Sequence, residues 1–179
     1  MVYVLLADGF EEIEALTPVD MMRRAGIEVT TVGVTGKTVT GSHKITVTAD
    51  VTMDEVEGNT PELIMLPGGQ PGTDNLDRES RVHAMIARVC DADGILAAIC
   101  AAPKILGYSG YLCGKDATCF PGFEKYLIGA HKVDCKAVRD GNIITACGMG
   151  AAIPFGAEII SALRSRETAD KIVKQILAD

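Results

Sequence analysis

The chain has 179 residues, 47% of them hydrophobic and 4% aromatic, with no Trp and a formal net charge of −7. That length suits one domain over 1–179 with a large aliphatic core. The acidic balance argues against nucleic acid and anionic membranes as partners, since both need a basic footprint, and the few aromatics offer no stacking platform for single strands.

Val2 to Ala7 reads as a first strand, turned by Asp8-Gly9-Phe10. A helix ends near Arg23-Arg24-Ala25, with Gly26 as its cap residue. Its start is open: Thr17-Pro18 resembles a cap, yet Glu11 to Leu16 is also helical, in which case Pro18 kinks one longer helix. Ile27 to Val34 is the second strand, and a βαβ start implies a parallel sheet. Thr35 to Ala49 turns to Gly, Thr and alternation, as short strands outside that sheet do. The polar stretch Asp50 to Asn59 leads into strand Leu63 to Leu66, then the loop Pro67-Gly68-Gly69-Gln70-Pro71-Gly72. In open α/β sheets this carboxyl edge is where ligands bind.

Helix Glu79 to Asp91 precedes the apolar run from Gly94 to Ile99, which suits a strand covered on both faces. Thr118 to Gly129 reads as loop and short helix. Val133 to Val138 and Ile143 to Ala146 read as a hairpin around Gly141. Helices Ala151 to Arg164 and Glu167 to Leu177 close the chain. The order implies a three-layer α/β/α sandwich of the flavodoxin-like kind, with a mostly parallel central sheet and a late hairpin.

Cys100 stands where the Gly94–Ile99 strand stops, between the small residues Ala98 and Ala102, with Pro103 fitted to a first helical turn. That is the steric demand of a nucleophile elbow. A helix start beyond the thiol favours thiolate. Substrate- or oxyanion-binding residues are expected in Gly68, Gly69 and Ala101, with the Gly69 and Ala101 amides as the first donors considered. A proton partner is sought among Glu11, Glu12 and Glu14. Solvated acids at a helix start are the ordinary reading of each, and Glu14, flanked by Ile13 and Ala15-Leu16, is the least obviously exposed. His43, His83 and His131 belong to no motif with Cys100 and read as surface or satisfied imidazoles. The Gly68-Gly69 pair lacks the spacing of a phosphate cradle. Six cysteines form no C-x-x-C pair. They are expected as free thiols, mostly filling the core, with no metal and no cofactor. With no signal-type or membrane-spanning run, the expected location is cytoplasmic.

The residues Ala7 to Glu14, Pro18-Val19-Asp20 with Arg23-Arg24-Ala25-Gly26, Leu66-Pro67-Gly68-Gly69 and Ala98-Ile99-Cys100-Ala101-Ala102-Pro103 resemble the ThiJ/PfpI superfamily. The likeness is to the branch of the Parkinson-linked protein deglycase and its bacterial relatives. The resemblance implies Cys100 as nucleophile or redox-sensitive thiol, and Glu14 as a protonated partner donating to the thiolate. It implies amides of Gly69 and Ala101 that hold an oxyanion or the oxygens of an oxidised sulfur, and a homodimer using Asp20 and Arg24. Phe120 stands where human-type members carry His, Ala101 where the protease branch has His, and Met149 where relatives commonly have Pro. The implied activity is glutathione-independent glyoxalase or deglycase chemistry on a small dicarbonyl or glycated substrate, with peptidase activity disfavoured. The alternative is a redox sensor or chaperone working through Cys100 sulfinate; family naming alone adds a thiamine-pathway role.

Overall fold

A computed structural model describes residues 1–178. The chain runs through β1 (Val2–Leu6), α1 (Glu12–Arg24), β2 (Val29–Gly33), β3 (Thr38–Thr40), β4 (Thr46–Thr48), β5 (Val51–Thr52) and α2 (Met53–Val56). It continues with β6 (Leu63–Leu66), α3 (Gly72–Arg78), α4 (Ser80–Asp91), β7 (Ile95–Ile99), α5 (Pro103–Tyr108) and β8 (Asp116–Ala117). Last come β9 (His131–Lys132), β10 (Ala137–Asp140), β11 (Ile143–Ala146), α6 (Ala152–Leu163) and α7 (Arg166–Gln175). The main sheet has the order β10-β11-β7-β6-β1-β2-β5. Every pair in it is parallel except β10 with β11.

The unalternated apolar strands follow from cover on both sides. In β1, Val2, Val4 and Leu6 pack with Val19 and Met22 of α1, Phe155 and Ile159 of α6 and Ile172 of α7. The intervening Tyr3 and Leu5 pack with Met85 and Ile86 of α4 and Ile105 of α5. This is the flavodoxin-like three-layer sandwich that the element order implies.

Local differences have physical reasons. α1 is one helix with Pro18 inside it, because Glu11 caps it: Glu11 Oε2 accepts the Glu14 N–H at 2.7 Å. Pro18 removes the amide that would otherwise bond the Glu14 carbonyl. The polar stretch after Asp50 holds a strand and a helical turn, β5 and α2, with Glu55 Oε2 accepting the Thr52 N–H at 2.7 Å. A helix, α3, begins directly at Gly72, where the glycine and proline content suggested only loop. The first strand of the late hairpin is shorter than expected, beginning at Ala137.

The β3–β4 hairpin forms its own two-stranded sheet and is fastened to α1 by Glu12. This side chain is buried; Oε1 accepts the His43 N–H at 2.8 Å and the Ile45 N–H at 3.4 Å, while Oε2 lies 3.0 Å from His43 Nδ1. Burial alone would raise the carboxyl pKa, but the bonds from His43 and Ile45 outweigh it and hold the pKa below its ordinary value. The stabilisation is therefore present above the ordinary glutamate range and fades as pH falls through the lowered folded value. Glu12→Ala should lower the urea-unfolding free energy by about 1–3 kcal/mol at neutral pH, with the deficit shrinking in acid. Equal midpoints at neutral pH would contradict this role.

Candidate active site

Cys100 follows the last residue of β7 and adopts φ +65°, a left-handed conformation that costs a non-glycine residue about 1–3 kcal/mol. Two backbone bonds hold it there. Its N–H donates to the Ala146 carbonyl at 2.9 Å, and its own carbonyl accepts the Phe120 N–H at 2.8 Å. The elbow is thus clamped between the end of β11 and the loop after β8. Ala98 and Ala102 are fully buried on either side, as the sequence spacing requires.

The second wall is the start of α1. Its cap sets Glu14 pointing inward, where it is 1% exposed. Gly68 N–H donates to Glu14 Oε2 at 3.0 Å, and that oxygen and the Cys100 Cβ face each other across the bare Cα of Gly68. The Gly69 and Ala101 amides favour negative charge on the Cys100 sulfur. Glu11 N–H in turn donates to the Gly68 carbonyl at 2.9 Å, tying the loops together. A Cβ at position 68 would run into both Glu14 Oε2 and the Cys100 Cβ. At Gly69, with φ +89°, a side chain would strike the backbone of residues 9–11. Of the three residues expected to bind an oxyanion, Gly69 and Ala101 face the sulfur, whereas the Gly68 amide is taken by the carboxyl.

Burial, with Glu11's charge added, pushes the Glu14 carboxyl up to about 7, against the hydrogen bonds from Cys100 and Gly68. Burial also pushes the Cys100 thiol up to about 12, followed by the repulsion and hydrogen bond of an ionised Glu14; the Ala101 and Gly69 amides pull the other way. Two negative charges are not tolerated here: the thiol stands that high against burial and an ionised Glu14, and a proton on Glu14 removes the repulsion and makes the acid a donor to sulfur. The expected lowering of the thiol by a helix start is outweighed. α5 has six residues and begins three positions beyond the sulfur, and burial dominates.

The three acids are not the solvated helix start of the ordinary reading: Glu11, Glu12 and Glu14 are all buried. One caps, one anchors the hairpin, and one meets the thiol. The capping and anchoring roles were missed in sequence, although an acid at Glu11 three residues before Glu14 is a capping signal. The imidazoles are engaged away from the elbow: His43 with Glu12, His83 Nε2 with the Asp77 carbonyl at 2.7 Å, and His131 with Asp116 at 3.5 Å. Phe120 is exposed and flanks Gly148. Its ring lies 3.3 Å from where a Cβ of Gly148 would stand, a point 3.9 Å from Glu14 Oε1. Met149 is exposed. The six cysteines are free, but only Cys119 is buried, so the expectation of core thiols fails for most of them. Cys119, Cys135 and Cys147 line a shared cleft of about 400 Å³.

A strained cysteine at the carboxyl edge of a parallel sheet, set against a buried carboxyl, defines a thiol-bearing α/β sandwich protein. The chain belongs to the DJ-1/PfpI family, whose model matches residues 1–162. It is 34% identical over 177 residues to the Drosophila melanogaster protein dj-1beta, covering 97% of this chain and 95% of that one. It is 31% identical over 166 residues to a deglycase of Pyrococcus abyssi, covering 91% of this chain and 99% of the other. Among solved structures, a DJ-1 superfamily protein from Salmonella typhimurium superposes with a TM-score of 0.94 at 31% identity, covering 99% of this chain and 98% of that one.

Gly68→Ala tests the packing of the site. It should cost about 1–3 kcal/mol of stability, as overpacking does, and slow alkylation of Cys100 by iodoacetamide. A variant with unchanged stability and unchanged alkylation would contradict the close approach described.

Proposed function

We propose that the protein is a cysteine-dependent, glutathione-independent glyoxalase or deglycase, with Cys100 as nucleophile and Glu14 as its proton partner. What carries the reading is the convergence on one sulfur of a buried carboxyl and two backbone amides. Membership of the DJ-1/PfpI family and the likeness to an archaeal protein named as a deglycase support it. In this reading the proton of the pair rests on Glu14. There it donates to the thiolate and no longer repels it.

The chemistry follows with methylglyoxal as substrate. The thiolate adds to the aldehyde carbon, and the carbonyl oxygen takes the Glu14 proton, giving a hemithioacetal. The Gly69 and Ala101 amides stabilise the oxyanion on the way. Glu14, now ionised, removes the proton from the former aldehyde carbon to give an enediol. Protonation of the neighbouring carbon yields a lactoyl thioester. Water then releases lactate and restores the thiol, so that methylglyoxal plus water becomes lactate with no redox partner. An early glycation adduct on a protein amine presents the same carbon skeleton, with the amine as leaving group. A peptidase is disfavoured, because Ala101 follows the nucleophile where the protease branch has His.

The reading also takes the protein as a cytoplasmic homodimer. Arg24 Nε donates to Asp20 Oδ2 at 2.6 Å on the exposed side of α1, the face that the family resemblance assigns to the partner copy. No helix among the described residues is long and apolar enough to cross a membrane.

Purified protein given methylglyoxal should produce lactate. Cys100→Ala should reduce the rate by at least about a thousandfold, as loss of a nucleophile does, and Glu14→Gln by about 10²–10⁴-fold, the range of general acid–base catalysis. Equal rates in the wild type and Cys100→Ala would overturn the proposal.

A further inference from the structure

Glu11 and Glu12 meet a single imidazole at the mouth of the hairpin. Glu11 Oε2 is occupied by the Glu14 N–H, but Oε1 makes no hydrogen bond among the described residues and lies 3.9 Å from His43 Nδ1. Glu12 Oε2 lies 3.0 Å from the same nitrogen, with Ser42 Oγ at 3.5 Å. Ser42 Oγ is itself 3.2 Å from Nδ1. One ligand atom from each of Glu11, Glu12 and His43 lies within 4.8 Å of the other two. Both carboxylates are buried, while the imidazole is open to solvent.

We propose that Glu11, Glu12 and His43 form a binding site for one divalent first-row transition ion of the zinc type. The donor set decides the class. An imidazole nitrogen disfavours magnesium and calcium, and two carboxylates disfavour a soft monovalent ion. The geometry is close to what such an ion needs. Bonds of about 2.1 Å in a tetrahedron place neighbouring ligands about 3.4 Å apart, against 3.0 and 3.9 Å from the imidazole nitrogen to the two carboxylates and no more than 4.8 Å between the carboxylates. Three protein ligands leave a fourth position for water on the exposed side. Buried carboxylates without a matching positive group supply the charge. Two carboxylates and a divalent ion sum to zero where one exposed imidazolium now serves both.

The charged groups facing His43 are Glu12 and Glu11, both from the start of α1. Nδ1 and the carboxylate oxygens bond the metal, and any proton on Nδ1 leaves to water.

The test uses the full chain titrated with Co²⁺ and followed by absorption. One equivalent should give weak visible ligand-field bands without the intense near-ultraviolet band of a cobalt–thiolate bond. His43→Ala and Glu11→Gln should each weaken binding by about tenfold or more, while Cys100→Ser leaves it unchanged. Gln at position 11 can still accept the Glu14 N–H, and in His43→Ala the backbone amides of residues 43 and 45 still fasten Glu12, so both variants should fold, as cooperative thermal transitions without metal will show. Cobalt binding that survives in His43→Ala, that is lost in Cys100→Ser, or that shows the thiolate band would overturn the proposal. So would the absence of binding by the wild type.

Discussion

One proton, held between a carboxyl and a sulfur that are both withdrawn from water, is the constraint on which the rest of this site depends. Glu14 and Cys100 face each other across Gly68 and are too buried for both to be charged. Every neighbour bears on that balance. Gly68 gives its amide to the acid, Gly69 and Ala101 give theirs to the sulfur, and Glu11 adds a negative charge that raises the acid. A buried thiol with no such partner would be inert.

The fold makes this arrangement by bringing three connections to the end of the parallel sheet. β1, β6 and β7 are adjacent, so the segments that follow them meet. The loop after β1 becomes α1 and carries the acid; the loop after β6 is pared to glycine so that backbone can lie between acid and sulfur. The turn after β7 accepts a strained residue because β11 and the Phe120 amide fix it from both sides. Strain at position 100 is thus supported by the ordinary hydrogen bonding of its neighbours.

Much of this was legible in the chain. Unbroken apolar runs at Val2 to Leu6, Leu63 to Leu66 and Ile95 to Ile99 announce a sheet covered on both faces. Small residues around Cys100 announce the elbow. What was not legible depended on tertiary partners. Nothing local says that Glu12 is buried, because its partners lie in a hairpin about thirty residues away. The chain left two starts open for α1, before Pro18 and at it, since the acid that caps the longer helix also reads as a solvated charge. Gly68 looked like an oxyanion donor, yet its amide is spent on Glu14, a contact 54 residues distant in sequence. The level of the thiol pKa was misjudged for the same reason: a helix start is visible in sequence, and burial is not.

The most direct test is to titrate the Cys100 thiolate by its ultraviolet absorption, taken as the difference from Cys100→Ser, in the wild type and in Glu14→Gln. If the acid keeps the proton and donates it to sulfur, the thiolate should form at lower pH in the wild type than in Glu14→Gln, by about one unit or more, equivalent to about 1.4 kcal/mol. A thiolate that forms more readily once Glu14 is replaced would mean that the acid acts as a bare repelling charge, and would contradict this account.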